Sequence, residues 1–138
     1  MIDLDFFYVR TYSMGLAEIL KNELLEPKNK LELKTALKIL TADIVSKNSE
    51  CKILVFGSIA KGLATNSSDI DLAVILPDHV DKKTVRLDFF ENRTKIKIPL
   101  DIIFRNHSEH IRNLNDNPID QEISQNGIEI YPCWMLND

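Results

Sequence analysis

Hydrophobic residues recur along this chain with two spacings, which predict where helices and strands lie. Apolar residues three or four positions apart predict a first helix between Tyr12 and Leu24 and a second helix after Pro27. The apolar face of the second helix is formed by Leu33, Leu37, Leu40 and Ile44. Both helices need a surface to cover, and the rest of the chain offers strands for that purpose.

Four short apolar runs are typical of buried strands: 53–56, 70–76, 100–104 and 128–131. Weaker helical spacing covers 80–92, and a short helical turn is expected over 58–62, after Gly57. Asn117 and Pro118 make a helix start and Gly127 makes a stop, so a helix is predicted from Pro118 to Asn126. The fold class predicted is α/β (α+β), with a mixed sheet and flanking helices.

Composition favours an ordinary compact domain. The 138 residues are 44% hydrophobic and 28% charged, and we predict one domain over 1–138 with an N-terminal helical extension at about 1–27. The acidic N-terminus and the lack of a long apolar stretch predict a cytoplasmic protein without membrane contact. A net charge of −4 makes nucleic acid an unfavoured partner, and a small molecule or a protein the expected one.

The cysteines and histidines indicate no further chemistry. Cys51 and Cys133 lie far apart without metal-type spacing and are expected to be reduced and structural. His107 and His110 lack a third nearby soft ligand, so a zinc site is not expected.

The residues most informative about chemistry begin where the first predicted strand ends. Gly57 lets the backbone turn tightly and approach a ligand, and Ser58 offers a hydroxyl and an amide at the start of a helical turn. Such a place favours phosphate.

Two carboxylates follow at the start of the second strand. Side chains alternate along a strand, so Asp69 and Asp71 are expected on the same face. Like charges held together repel and raise each other's pKa unless a cation lies between them. Hard oxygen ligands of this type suit magnesium or manganese.

Asp101 adds a third carboxylate within the apolar third strand, where a charge requires a partner. If this strand neighbours the second, three aspartates converge on a pair of metal ions. That arrangement holds the attacking and leaving oxygens of an in-line phosphoryl displacement.

Gly-Ser, ten residues, Asp-x-Asp and a later strand aspartate together resemble the nucleotidyltransferases of the DNA polymerase β-like superfamily. The resemblance runs from about residue 53 to residue 101, and the closing segment with Gly127 and Tyr131 is similar to the end of the family's smallest members. It implies that Asp69, Asp71 and Asp101 are the catalytic and metal-binding residues, with Asp101 also accepting the proton of the attacking hydroxyl. The nucleotide-binding residues expected are Gly57, Ser58, Lys61, Gly62 and Ser68.

The chain departs from this family at two positions. The family often has arginine where this chain has Ile59, and a second arginine where it has Lys61. Lysine keeps a point charge but cannot reproduce the bidentate guanidinium fork.

The resemblance also implies a reaction and a partner. The expected cofactor is Mg²⁺, as two ions, with Mn²⁺ as the alternative, and the expected donor is a nucleoside triphosphate, ATP by preference. The minimal nucleotidyltransferases are commonly paired with HEPN-type proteins as antitoxin and toxin, and add AMP to a tyrosine of the toxin. A protein hydroxyl is therefore the first expectation for the acceptor. The alternative is a non-catalytic antitoxin or regulator that neutralises its partner by contact.

Overall fold

The computed structural model describes residues 15–131, which form a four-stranded sheet with helices on both faces. In chain order the helices are α1 (Ala17–Ile19), α2 (Pro27–Val45), α3 (Gly57–Ala60), α4 (Lys82–Asn92), α5 (His107–Asn113) and α6 (Pro118–Asn126). The strands are β1 (Lys52–Phe56), β2 (Ile70–Leu76), β3 (Leu100–Asn106) and β4 (Ile128–Tyr131).

The strand order in the sheet is β3-β2-β1-β4. β1 runs antiparallel to both β2 and β4, whereas β2 and β3 are parallel. The sheet is therefore mixed. The carboxyl end of β1 and the amino ends of β2 and β3 lie at the same end of the sheet, which is the edge referred to below. This edge carries the predicted catalytic residues.

Alternation along β2 divides the core between the two faces of the sheet. Ile70, Leu72 and Val74 belong to the larger core cluster, which the apolar side of α2 completes. Ala73 belongs to a smaller cluster on the other face, where Ile123 of α6 packs. α6 thus covers the face from which Asp71 projects.

The predicted fold class is confirmed, and most predicted elements are present. β2, α6 and β4 have the predicted bounds, and the predicted apolar face of α2 is buried. β3 continues two residues further than predicted, to Asn106. α4 begins at Lys82 because the side chain of Asp81 accepts a hydrogen bond from the Lys83 backbone N–H and caps the helix.

The predicted first helix is present but ends earlier than predicted, while Tyr12 lies outside the described residues. The regular α-helix covers only Ala17–Ile19, and Leu24 is exposed. Asn22 accounts for the difference: its Oδ1 accepts a hydrogen bond from the Leu24 backbone N–H, and its Nδ2 donates to the Ala64 carbonyl. Side-chain bonds of this kind compete with the helical pattern and turn the chain.

α5 was not predicted from apolar spacing, because it has no buried residue. It starts with a capping box in which Asn106 and Glu109 each bond to the other's backbone N–H. None of the helices in 15–131 is long and apolar enough to cross a membrane.

Candidate active site

Asp71 and Asp101 are directly paired on the parallel strands β2 and β3. Asp71 is also paired with Phe56, the last residue of β1, so the turn at Gly57 lies beside the same carboxylate. Asp69 stands in the loop immediately before β2, and not within the strand. The three aspartates that the sequence singled out are therefore gathered at one edge of the sheet.

Gly57 lies close to the Asp71 side chain. Its φ angle is +72°, in the left-handed region where a Cβ is disfavoured. A Cβ at this position would overlap Asp71 Oδ2 and lie 2.9 Å from Asp71 Cγ. Glycine here permits both the turn from β1 into α3 and the close approach of the carboxylate.

The electrostatics of this edge are dominated by like charges. Burial raises the pKa of Asp71, and repulsion from Asp101, Glu122 and Asp69 raises it further. Asp71 is half-buried, whereas Asp69 and Asp101 are exposed. The exposure of Asp101 follows from the position of β3 at the edge of the sheet. The site is thus an open cluster of carboxylates around one partly desolvated member.

These carboxylates suit a divalent metal that is bound together with substrate. Within residues 15–131, no three His, Cys, Asp or Glu side chains stand close enough to enclose an ion by themselves. Magnesium, however, is usually held by one or two carboxylates plus water and substrate phosphates. The hard oxygen donors and the raised pKa of Asp71 both fit such an ion.

The predicted nucleotide-binding residues lie on the turn and loop between β1 and β2. Gly57 and Ser58 begin α3, and Lys61 follows its end. Gly62 also has a positive φ, +71°, with open space where a Cβ would point. The Ser68 hydroxyl accepts a hydrogen bond from the Thr65 backbone N–H and shapes the loop before Asp69.

Ile59, where the resemblance led us to expect an arginine, is buried. Its side chain belongs to the larger core cluster. This position contributes packing in the present chain, and no cation is presented from it.

Sequence reasoning missed Glu122, which lies on α6. Its Oε1 is 2.6 Å from Lys61 Nζ, and its charge contributes to the raised pKa of Asp71. The sequence placed Glu122 in a helix, but only the packing of α6 against α3 brings it to the site.

A second group that the sequence missed surrounds Asp120, which is completely buried at the start of α6. Its carboxylate bonds to His110 Nδ1 at 2.7 Å, to Arg105 Nε and to Asn113 Nδ2. Burial alone would raise the pKa of Asp120, but these hydrogen bonds and the Arg105 charge hold it below the usual range. The group joins β3, α5 and α6 on the face of the sheet that carries Asp71.

The chain matches the nucleotidyltransferase domain family over residues 37–124, which is more than half of its length. It belongs to that family, and the predicted class of enzyme is confirmed at this level. The family generally uses divalent metals. The match includes β1, α3, β2 and β3, the elements that carry the aspartates.

Particular relatives are similar over smaller parts. The terminal uridylyltransferase cid1 of Schizosaccharomyces pombe is 33% identical over 60 residues, which are 44% of this chain and 15% of that protein. A crystal structure of the Cid1 poly(U) polymerase with MgGTP bound has a TM-score of 0.52 at 22% identity, over 78% of this chain and 39% of that one. A second structure of Cid1, described with its RNA terminal uridylyl transferase activity, has a TM-score of 0.51 at 23% identity. The similarity covers 78% of this chain and 38% of that one. The chain thus spans less than half of these relatives, and the structures share its fold.

Proposed function

We propose that this protein transfers a nucleoside monophosphate, AMP by preference, from a nucleoside triphosphate to a hydroxyl group, with release of pyrophosphate. The observation that carries the proposal is the pairing of Asp71 with Asp101 on adjacent parallel strands, beside the Gly57 turn and close to Asp69. This pairing gives the carboxylates a common space in which a triphosphate could be held.

The residues are given the following roles. Asp69, Asp71 and Asp101 would hold Mg²⁺, as two ions, or Mn²⁺ in its place. When bound, such ions neutralise the charge that develops on the phosphate oxygens. Gly57 and Ser58 hold the triphosphate through backbone amides and the Ser58 hydroxyl, with Lys61, Gly62 and Ser68 around it.

Asp101 is the proposed general base, which accepts the proton of the acceptor hydroxyl. It is the exposed member of the Asp71–Asp101 pair, on the edge strand of the sheet, so an acceptor can approach it from solvent. As the hydroxyl oxygen bonds to the α-phosphorus, the bond to the β-phosphate oxygen breaks and the proton passes to the Asp101 carboxylate.

For the acceptor we propose a hydroxyl on a partner protein, such as the tyrosine of a HEPN toxin, in the cytoplasm. The net charge of −4 supports a protein over a polyanion, because non-specific binding to nucleic acid depends on positive charge. The resemblance to the minimal nucleotidyltransferases is the source of the AMP and HEPN proposals.

A second candidate is transfer of UMP to an RNA 3′ hydroxyl. It is favoured by the 60 residues that are 33% identical to a terminal uridylyltransferase. The experiment is to incubate the protein and Mg²⁺ with α-labelled ATP or UTP, in the presence of either the protein encoded beside it or an RNA oligonucleotide. Label from ATP on the protein supports the first candidate, and label from UTP on RNA supports the second. A protein that binds its partner but transfers no label is the contact-only antitoxin or regulator.

A further inference from the structure

Lys61 does not point freely into solvent but is paired with Glu122. Its Nζ is 2.6 Å from Glu122 Oε1, and the Lys61 and Glu122 side chains are 41% and 31% exposed. The two residues come from different elements, since Lys61 follows α3 and Glu122 lies on α6. The ion pair is therefore a tertiary contact between two elements, and not a contact between neighbours on one helix.

The position of Lys61 relative to Gly57 places its ammonium near the proposed phosphate site. Lys61 is four residues after Gly57, and its backbone N–H donates to the Gly57 carbonyl at 3.2 Å. Residues four apart lie on the same side of a helical turn. A lysine side chain, with its flexible stem, can thus reach a phosphate held at Gly57 and Ser58.

Glu122 is also close enough to the aspartates to repel Asp71. Lys61 therefore lies beside a fourth carboxylate next to the cluster, at the point where a triphosphate would bring further negative charge. Among the described residues, Glu122 is the ion-pair partner of the Lys61 ammonium.

We propose that Glu122 is a positioning residue that holds the Lys61 ammonium beside the nucleotide site before nucleotide binds, and releases it to the triphosphate on binding. This inference rests on the proposed function, since it concerns the same nucleotide site. The exchange is favourable because partly exposed ion pairs are weak, whereas a triphosphate offers the ammonium several charged oxygens.

If Lys61 exchanges Glu122 for the triphosphate, the effect of Glu122 on nucleotide affinity must depend on Lys61. If Lys61 must leave Glu122 to contact nucleotide, removal of the Glu122 charge strengthens nucleotide binding only when Lys61 is present. Simple repulsion between Glu122 and the triphosphate would instead strengthen binding to the same degree with or without Lys61. A double-mutant cycle separates the two effects.

The test is calorimetric titration of Mg²⁺ and α,β-methylene-ATP, an analogue that cannot be cleaved between its α and β phosphates. Four proteins are compared: wild type, Glu122→Gln, Lys61→Met and the double variant. We expect Lys61→Met to weaken binding by about tenfold, as for loss of a charge-assisted bond. Glu122→Gln should tighten binding by about two- to fivefold in wild type, and by clearly less in the Lys61→Met background.

Asp88→Asn is the matched control, because it breaks the ion pair between Lys47 and Asp88 at 2.8 Å, which involves no residue of the site. It should leave the dissociation constant unchanged. Equal tightening by Glu122→Gln in both backgrounds, or weaker binding in the wild-type background, overturns the exchange while leaving the nucleotide site in place. Absence of binding to the wild-type protein would overturn the proposed function itself.

Discussion

Gly57 and Asp71 are in such close contact that any Cβ at position 57 would overlap the Asp71 carboxylate. The glycine follows β1 as the first residue of α3, and the aspartate is the second residue of the neighbouring strand β2. One contact therefore fixes the relative position of two parts of the proposed site. These are the turn proposed to hold phosphate and the carboxylate proposed to hold metal.

Gly57→Ala tests that contact. The substitution introduces backbone strain of about 1–2 kcal/mol and displaces the Asp71 side chain, so we expect lower stability together with a loss of transfer activity of about a hundredfold. Gly62→Ala is the comparison for backbone strain, since Gly62 has a similar positive φ but open space for a Cβ. Because Gly62 is also proposed to lie beside the triphosphate, a smaller loss of transfer is expected there. Gly57→Ala should unfold at the same temperature as Gly62→Ala or at a lower one, because it adds the overlap with Asp71 to the backbone strain, and it should lose far more transfer. Full activity in Gly57→Ala would show that the position of Asp71 is not critical.

The raised pKa of Asp71 predicts how its removal affects stability without metal. Its folded-state pKa lies above the ordinary value of 3.8, so the ionised carboxylate destabilises the fold at neutral pH. That penalty is relieved as the pH falls through the folded-state pKa towards 3.8. We therefore expect Asp71→Asn, in a chelator at pH 7, to be as stable as wild type or slightly more so, with any advantage shrinking on acidification.

Thermal unfolding at several pH values measures this difference. With Mg²⁺ and a non-hydrolysable triphosphate the order should reverse: wild type gains roughly 2.7 kcal/mol at a hundredfold excess over the dissociation constant, and the variant gains much less. A strongly destabilised variant in the chelator would mean that Asp71 has a structural role in the core.

Asp120 should behave in the opposite way. Its carboxylate is buried and bonded to Arg105 and His110, and Asp120→Asn leaves these groups without a charged partner. Breaking a buried pair costs about 3–5 kcal/mol, so we expect a loss of stability of that order at pH 7. Because the pKa of Asp120 is lowered, its contribution is present above pH 3.8 and is lost as the pH falls through the folded-state pKa.

Asp88→Asn serves here as the exposed comparison. It removes a carboxylate from the exposed pair with Lys47, and should change the free energy of unfolding far less than Asp120→Asn does. Chemical denaturation of both variants supplies the two values. Similar small losses would show that the charges around Asp120 contribute little to the fold.

Asp101→Asn separates proton transfer from nucleotide binding. The proposed base acts on the acceptor hydroxyl, whereas most of the proposed phosphate contacts are at Gly57 and Ser58. We therefore expect turnover to fall about a hundredfold or more, with a smaller change in nucleotide affinity. Turnover and nucleotide binding are measured separately, and loss of both together would identify Asp101 as mainly a metal ligand.

The sequence predicted those features that depend on neighbouring residues. β2 and α6 have the predicted bounds because proline and glycine mark their ends. The three aspartates could be found because alternation gives Asp69 and Asp71 a common face and because Asp101 interrupts an apolar run. The parallel pairing of β2 with β3 then meets the condition on which their convergence depended.

The missed features depend on tertiary contacts. Glu122 reaches the site through the packing of α6 on α3, and the charges of Asp120 and Arg105 meet only once β3 and α6 are in place. The first helix ends before Leu24, where Asn22 bonds to Ala64, 42 residues away, which helical spacing cannot reveal.

Transfer of label is the most direct measurement of the proposed chemistry. Wild type, Asp69→Asn and Asp71→Asn are each incubated with α-labelled ATP, Mg²⁺ and the partner protein. We expect wild type to label the partner and each variant to be slower by about a hundredfold or more, since each has lost a negative ligand to the metal. Transfer by either variant within about threefold of wild type would contradict the assignment of these aspartates to metal-dependent nucleotidyl transfer.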